Sequence, residues 1–290
     1  MESAGLSLHA RSTVPTGTVD THFHLFGPAS EYPYAAHRTY TPPDARLADY
    51  VALARGLGIA RAVLVQPSVY GTDNTRLLDG LKAAPIPMRG IVAVGPTVTD
   101  NTLVRMHGAG VRGVRINLVF DAQAAVQTAL RLGPRLRDLG WHIQFLVDVS
   151  TWDDMAETLD KLPVPFVFDH LGHVNTDAGL SSKGFRRMLG YLRDGRAWVK
   201  ASGCYRMAQH GAIPPYDEVR PFFDAVVEAN IDRVLWATDW PHSAIRTAMP
   251  EDADLVDMVV RWMGTDQNIQ RRIFVENPER LYGFAASAQK

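Results

Sequence analysis

Apolar residues recur along the chain in two alternating rhythms. Short, nearly continuous apolar runs rich in β-branched and aromatic residues fall at 18–24, 61–66, 89–94, 113–117, 142–147, 165–170, 197–201 and 233–238. Segments such as AVLVQ, GIVAV, FVF and RVLWAT leave no polar face, as expected of parallel strands covered on both sides. Between them, 45–57, 73–84, 100–108, 122–139, 151–162, 183–193, 217–230 and 252–263 carry apolar residues three and four apart, the spacing of one helical face. Pro-Pro-Asp opens the first of these stretches and Ser-Thr-Trp-Asp-Asp the fifth, and glycines at 56, 58, 108, 110 and 140 close others.

Alternation of this kind implies a parallel sheet, and eight units permit it to close on itself. The sequence therefore predicts an α/β fold, a single-domain (β/α)₈ TIM barrel over 18–283, with an N-terminal extension at 1–17 and a frayed tail at 284–290. An open, doubly wound sheet is the second choice. No Gly-x-Gly-x-x-Gly follows any strand, which counts against a dinucleotide-binding version of it.

Composition narrows the class further. A net charge of −1 offers no excess of Lys and Arg to bind nucleic acid or an anionic membrane surface. The apolar runs are interrupted every few residues, so none reads as a membrane span or a signal peptide. The one cysteine, Cys204, cannot form an internal disulfide, which fits a cytoplasmic enzyme, and nothing beside it marks it as a nucleophile. Monomer or small homo-oligomer is the expected state.

In a barrel, chemistry belongs at the C-terminal ends of the strands. The polar residues there are His22 and His24, Gln66 and Ser68, Arg115 and Asn117, Asp148, Asp169 and His170, Lys200 and Ser202, and Asp239. His22 and His24 are two apart on the first strand and so point to one side, the interior. Asp239 ends the last strand, which neighbours the first when the barrel closes. A carboxylate facing two imidazoles can act as a general base toward water or as a metal ligand. His170 supplies a third imidazole. His242 and His173 lie in loops and are weaker candidates, and His9, His37, His107, His142 and His210 have no comparable placement. Arg115 suits a carboxylate, which it can grip with two parallel hydrogen bonds; Arg112 points elsewhere, into a salt bridge, and Arg206 is a second anion-binding candidate.

These motifs, His-x-His on the first strand, Asp-His after the sixth and Thr-Asp-Trp-Pro-His after the eighth, resemble the amidohydrolase-related family of the amidohydrolase superfamily. The resemblance runs nearly end to end, through His-Leu-Phe-Gly-Pro (24–28), Tyr-Thr-Pro-Pro-Asp-Ala (40–45), Gln-Pro-Ser-Val-Tyr-Gly-Thr-Asp-Asn (66–74) and Val-Glu-Asn-Pro-Glu-Arg-Leu-Tyr (275–282). Within the family it is nearest to the pyrone-dicarboxylate, sugar-lactone and muconolactone hydrolases. It implies that Asp239 activates water, that His22, His24 and His170 polarise a lactone carbonyl, and that Tyr40, Ser68, Arg115, Arg206 and His242 line the substrate pocket.

Two departures bear on substrate. Where the pyrone-dicarboxylate enzymes carry a further cation after the fourth strand, this chain reads Leu-Val-Phe-Asp (118–121), and their fifth-strand tyrosine is matched by Leu146. An aspartate there repels a second carboxylate. A lactone with one carboxylate, or a sugar-derived one, is the expected substrate. The resemblance further implies that no metal is required, with one zinc or other divalent ion on His22, His24, His170 and Asp239 as the alternative. Isomerisation of a sugar lactone and metal-dependent decarboxylation of an aromatic acid are the rival reactions.

Overall fold

The eight apolar runs form eight parallel strands, β1 Val19–Phe23, β2 Arg61–Val65, β3 Met88–Val92, β4 Val111–Asn117, β5 His142–Leu146, β6 Phe166–Phe168, β7 Ala197–Ala201 and β8 Val234–Trp236. The computed structural model describes residues 12–118, 122–152, 154–209, 213–245 and 248–287. Each strand pairs in parallel with the next, in the order of the sequence. The ring closes between its ends: Thr21 Oγ1 donates to the Trp236 carbonyl at 2.7 Å, Asp239 N to the His22 carbonyl at 2.9 Å, and His24 N to the Trp240 carbonyl at 2.9 Å. This is the predicted (β/α)₈ barrel.

Most of the predicted helices stand where the periodicity puts them, at Leu47–Gly56, Thr75–Lys82, Asp100–Gly108, Ala122–Asp138, Lys183–Arg193, Arg220–Asn230 and Asp252–Met263. The fifth is cut to Met155–Leu159. Asp148 accepts the Ser150 amide at 2.9 Å, and that local bond holds Val149–Thr151 in a 3₁₀ turn instead of a helical start. Arg112 faces outward but donates to the carbonyls of His107 and Val111, and no carboxylate among the described residues pairs with it in a salt bridge. None of these helices is long and apolar enough to cross a membrane.

Two layers fill the barrel. The lower is apolar, built from Val19, Val63, Val65, Ile91, Val167 and Leu235 with Trp198. Tyr282 and Phe284 join it after the last helix, Asn277–Tyr282, so the C-terminal residues plug the bottom of the barrel. Residues 284–287 are therefore docked, not frayed: Phe284 is buried under Arg61 and Arg89, and Ser287 N donates to Glu279 at 2.8 Å. The tail beyond 287, like His9 and His210, lies outside the described residues. The upper layer is polar: His22, Gln144, Asp169 and Lys200 are all fully buried.

β1 is shaped by a slip in register between Asp20 and Phe23. Phe23 stacks on Tyr50 of the first helix at 3.5 Å between ring centres, and Asp20 accepts the Tyr50 hydroxyl at 2.9 Å, so both face outward. The extra residue between them lets His22 and His24 both remain inside. Asp20 also accepts Thr238 N at 2.9 Å, Thr238 Oγ1 at 2.6 Å and His22 N at 3.1 Å, tying β1 to the end of β8. Asp20→Ala leaves four buried donors without this partner and is expected to destabilise the fold by roughly 3 kcal/mol or more. Urea unfolding measures this, and a loss below about 1 kcal/mol would contradict it. Burial raises the Asp20 pKa to about 6 against its bonds to Thr238, His22 and Tyr50. A raised carboxylate pKa means the folded chain holds that proton more tightly, so stability from this group falls as pH rises from about 4 to 6. Asp20→Asn is expected to remove that slope.

Candidate active site

The side chains with chemistry meet at the C-terminal mouth of the barrel, where strand ends bring together residues far apart in sequence. Asp239 is held there by its backbone, whose φ of 63° lies in the left-handed region that aspartate enters more readily than most residues. Its Oδ2 accepts from the Tyr205 hydroxyl at 2.5 Å and from Arg206 Nε at 2.7 Å. Its Oδ1 is buried and has no hydrogen-bond partner among the described residues; His170 Nε2 lies 3.6 Å away and His22 Nε2 3.9 Å. Burial alone would raise the carboxyl's pKa, but Arg206, His170, His22 and His24 together hold it well below the usual carboxylate range. Asp239 is thus an anion at neutral pH with one oxygen committed and one open.

The three imidazoles are pushed below the usual histidine range, first by burial, His22 to about 4. They are neutral at neutral pH, so each has one donor and one acceptor nitrogen. His170 Nδ1 meets Ser202 Oγ at 2.9 Å. His24 Nδ1 lies 2.7 Å from the Val65 carbonyl, which can only accept, so Nδ1 carries the proton and Nε2 a lone pair. The implied role of His24 as a donor to a substrate carbonyl is corrected on this point: the neutral ring presents an acceptor.

Beneath the histidines lies a closed polar floor. Lys200 Nζ donates to Gln144 Oε1 at 2.7 Å and lies 3.3 Å from both Asp169 Oδ1 and His22 Nδ1. Asp169 Oδ2 accepts Gln144 Nε2 at 3.1 Å and Arg115 Nε at 3.4 Å. Burial lowers Lys200 to about 8, partly offset by Asp169. Asp169 sits well below its usual range, the cost of burial being outweighed by Lys200, His22 and Arg115. Each charge thus has an opposite one close by, which a buried charge requires.

Above the floor a pocket of about 100 Å³ opens, and of the expected residues His24, His170, Asp239, Tyr40, Ser68, Arg115 and Arg206 line it. Leu146 lines it as well, as the strand-five position implied. His22 lies just beneath, fully buried. His242 stands one layer out, its Nδ1 on the Tyr205 hydroxyl at 3.0 Å and its Nε2 on Asp252 at 3.1 Å, so it braces Tyr205 instead of lining the pocket. Residues 119–121, where the extra cation of the pyrone-dicarboxylate enzymes is replaced, lie outside the described residues.

Four contributors were missed, set aside or left unpaired. Tyr205 comes from the one-turn helix Cys204–Met207, too short to show a period. That helix follows Gly203, whose φ of 63° and whose place against His170, where a Cβ would come within 2.8 Å of Nδ1, both call for glycine. His173, discounted as a loop residue, lines the pocket with a buried Nε2 that has no partner among the described residues. Its partly predictive signal was the spacing of three from His170 in Asp-His-Leu-Gly-His. Lys200 and Asp169 were visible as strand-end residues, but not their pairing. Cys204 is buried and its thiol is pushed up to about 12 by burial, as an unreactive cysteine should be.

The sequence profile of the amidohydrolase family matches residues 19–284. The chain is 36% identical over 278 residues to a 2-pyrone-4,6-dicarboxylate hydrolase of Comamonas testosteroni, covering 93% of this chain and 91% of that one. It is 36% identical over 277 residues to a 4-sulfomuconolactone hydrolase of Rhizobium radiobacter, with the same coverage. A D-galactarolactone isomerase of Agrobacterium fabrum is 27% identical over 272 residues, 92% of this chain and 91% of that one. Among solved structures, a Pseudomonas putida protein provisionally named a 2-pyrone-4,6-dicarboxylic acid hydrolase superposes with a TM-score of 0.79 at 30% identity, covering 94% of this chain and all of that one. A Burkholderia multivorans amidohydrolase solved with zinc shares the fold, with a TM-score of 0.68 at 18% identity over 92% of this chain and 99% of that one.

Proposed function

The chain belongs to the amidohydrolase family, and from that premise we propose that it is an enzyme that opens a lactone, carboxylated or sugar-derived, to its hydroxy acid. The observation that carries the reading is the open Oδ1 of Asp239, buried at the pocket floor and faced by two imidazole nitrogens. A water seated there gives a proton to Oδ1 as its oxygen attacks the lactone carbonyl carbon. The tetrahedral oxyanion is stabilised by the imidazole cluster, with an N–H group from His170 and with the His22–His24 pair fixing the cluster's hydrogen bonds. The ring C–O bond then breaks, and Asp239 returns the proton to the leaving alkoxide. Arg115 and Arg206 face the pocket as cations, and Arg115 suits a substrate carboxylate. The apolar Leu146 in the pocket wall favours one carboxylate over two.

His22, His170 and Asp239 offer ligand atoms within 4.8 Å of one another, and by donor type they fit one divalent ion, with His24 as a possible fourth ligand. Such an ion would supply Lewis-acid polarisation of the carbonyl. The proposed reaction requires none. Lys200, Arg115 and Arg206 already stand against Asp20, Asp169 and Asp239 in this buried region, three cations and three carboxylates among the described residues. A divalent cation would add two positive charges to that balance where water cannot screen them. The same reading takes the substrate as a small molecule, the catalytic unit as 18–283 with 1–17 and 284–290 as its extensions, and the location as cytoplasmic, which the unpaired Cys204 supports.

A second reading, isomerisation of a sugar lactone, has the support of the isomerase relative. There a substrate hydroxyl replaces water as nucleophile and no acid is released. The two part in isotopically labelled water: hydrolysis places the label in a new carboxylate seen by mass spectrometry and NMR. A rearranged lactone without label would overturn hydrolysis in favour of isomerisation.

A further inference from the structure

We propose that Lys200 is a positioning residue that sets the direction of a buried donor chain, Lys200 to His22 to His24 to the Val65 carbonyl, and so makes His22 an N–H donor to His24 Nε2. The chain has two fixed ends. At one, an ammonium has three donors and no acceptor, so Lys200 Nζ at 3.3 Å from His22 Nδ1 requires a lone pair on that nitrogen. A neutral imidazole with a bare Nδ1 carries its proton on Nε2. At the other end, the Val65 carbonyl can only accept and takes the Nδ1 proton of His24, which leaves His24 Nε2 as an acceptor. The two Nε2 atoms are 3.2 Å apart, a contact that needs one proton between them. Both ends assign that proton to His22.

Asp169 is the competitor. Its Oδ1 is also 3.3 Å from His22 Nδ1, and a carboxylate there would draw the proton to Nδ1. That oxygen makes no aligned hydrogen bond, whereas the Lys200 contact is aligned. Gln144 helps to hold the arrangement, accepting from Lys200 at 2.7 Å and donating to the other oxygen of Asp169 at 3.1 Å. Lys200 thus hydrogen-bonds to Gln144 and His22 and is held by the opposite charge of Asp169 at 3.3 Å.

The consequence is a choice of chemistry. With the proton on Nε2 and donated to His24, His22 cannot bind a metal through that nitrogen. With Lys200 replaced by an apolar chain, Asp169 is free to take the Nδ1 proton, and Nε2 becomes a ligand. The claim rests on hydrogen-bond roles and not on the identity of the substrate, so a failed lactone assay leaves it intact, and its failure leaves the lactone reading intact.

The test is long-range proton–nitrogen NMR on histidine-labelled protein at neutral pH. In the wild type His22 is expected as the neutral Nε2–H form; an Nδ1–H form would overturn the proposal, whether or not any variant folds. In Lys200→Met the His22 signals are expected to move to the Nδ1–H form, and affinity for zinc added alone, measured by calorimetry, to rise at least 10-fold. Lys200→Arg keeps a donor and is expected to keep the wild-type form. A folded Lys200→Met protein with an unchanged tautomer and unchanged zinc affinity would refute the role assigned to Lys200, leaving it a structural ion-pair partner of Asp169.

Discussion

Asp239→Asn is expected to lower kcat by roughly 10³–10⁴-fold while leaving the circular dichroism spectrum and the unfolding transition close to those of the wild type. The amide is near the carboxylate in shape, so Tyr205 and Arg206 keep a neighbour of the same size. What disappears is the one oxygen that can take a proton from water. Oδ2 cannot substitute for it, because it already accepts two hydrogen bonds, from Tyr205 and Arg206. Steady-state kinetics on the best lactone substrate checks this, with folding monitored in parallel. Residual activity within about tenfold of wild type would mean that Asp239 does not act as the base.

Arg206→Gln carries the second large effect, and its signature is in the pH profile. Arg206 is the first of the charges that hold Asp239 below the ordinary carboxylate range. A depressed pKa means that the base form persists to low pH and that activity is lost only as pH falls through the depressed value. Removing the guanidinium takes away that depression while burial remains, so the acid limb of kcat/KM is expected to move to higher pH. The rate on the plateau is expected to fall about 10²-fold, since Arg206 also anchors the loop through the Ser243 carbonyl at 3.0 Å and lines the pocket. A Gln variant whose acid limb coincides with that of the wild type would separate Arg206 from the control of Asp239.

Much of this site was legible in the sequence, for physical reasons that differ residue by residue. His22 and His24 were readable because strand parity alone aims them together, although the register slip that keeps both inside beside an outward Asp20 was not. Asp239 was readable because barrel closure makes the first and last strands neighbours. The helical runs were readable wherever a full amphipathic period existed, and failed at 151–162, where Asp148 redirects the backbone through a single local bond. Tyr205 left no trace, since four residues of helix show no period. His242 was placed in the pocket by resemblance, but Asp252 and Tyr205 draw it one layer back. The docking of Phe284 was hidden because a tail's contacts depend on what lies under the barrel, not on its own pattern.

The polar floor is the clearest case of information held only in three dimensions. Gln144, Asp169 and Lys200 come from three strands and read singly as ordinary strand-end residues. Only the register across the barrel shows that Lys200 meets Gln144, Asp169 and His22 at once. That grouping changes how the histidines above it work, turning a set of donors suited to a metal into a cluster with its own proton order.

The most direct measurement is lactone turnover by protein whose metal content has been determined, before and after treatment with a strong chelator, on a panel from sugar lactones to carboxylated unsaturated ones. The account predicts release of a hydroxy acid from at least one member, at the same rate in both preparations, with less than stoichiometric metal. Stoichiometric zinc whose removal abolishes activity would contradict it, recasting His22, His170 and Asp239 as ligands and reopening decarboxylation of an aromatic acid as the reaction.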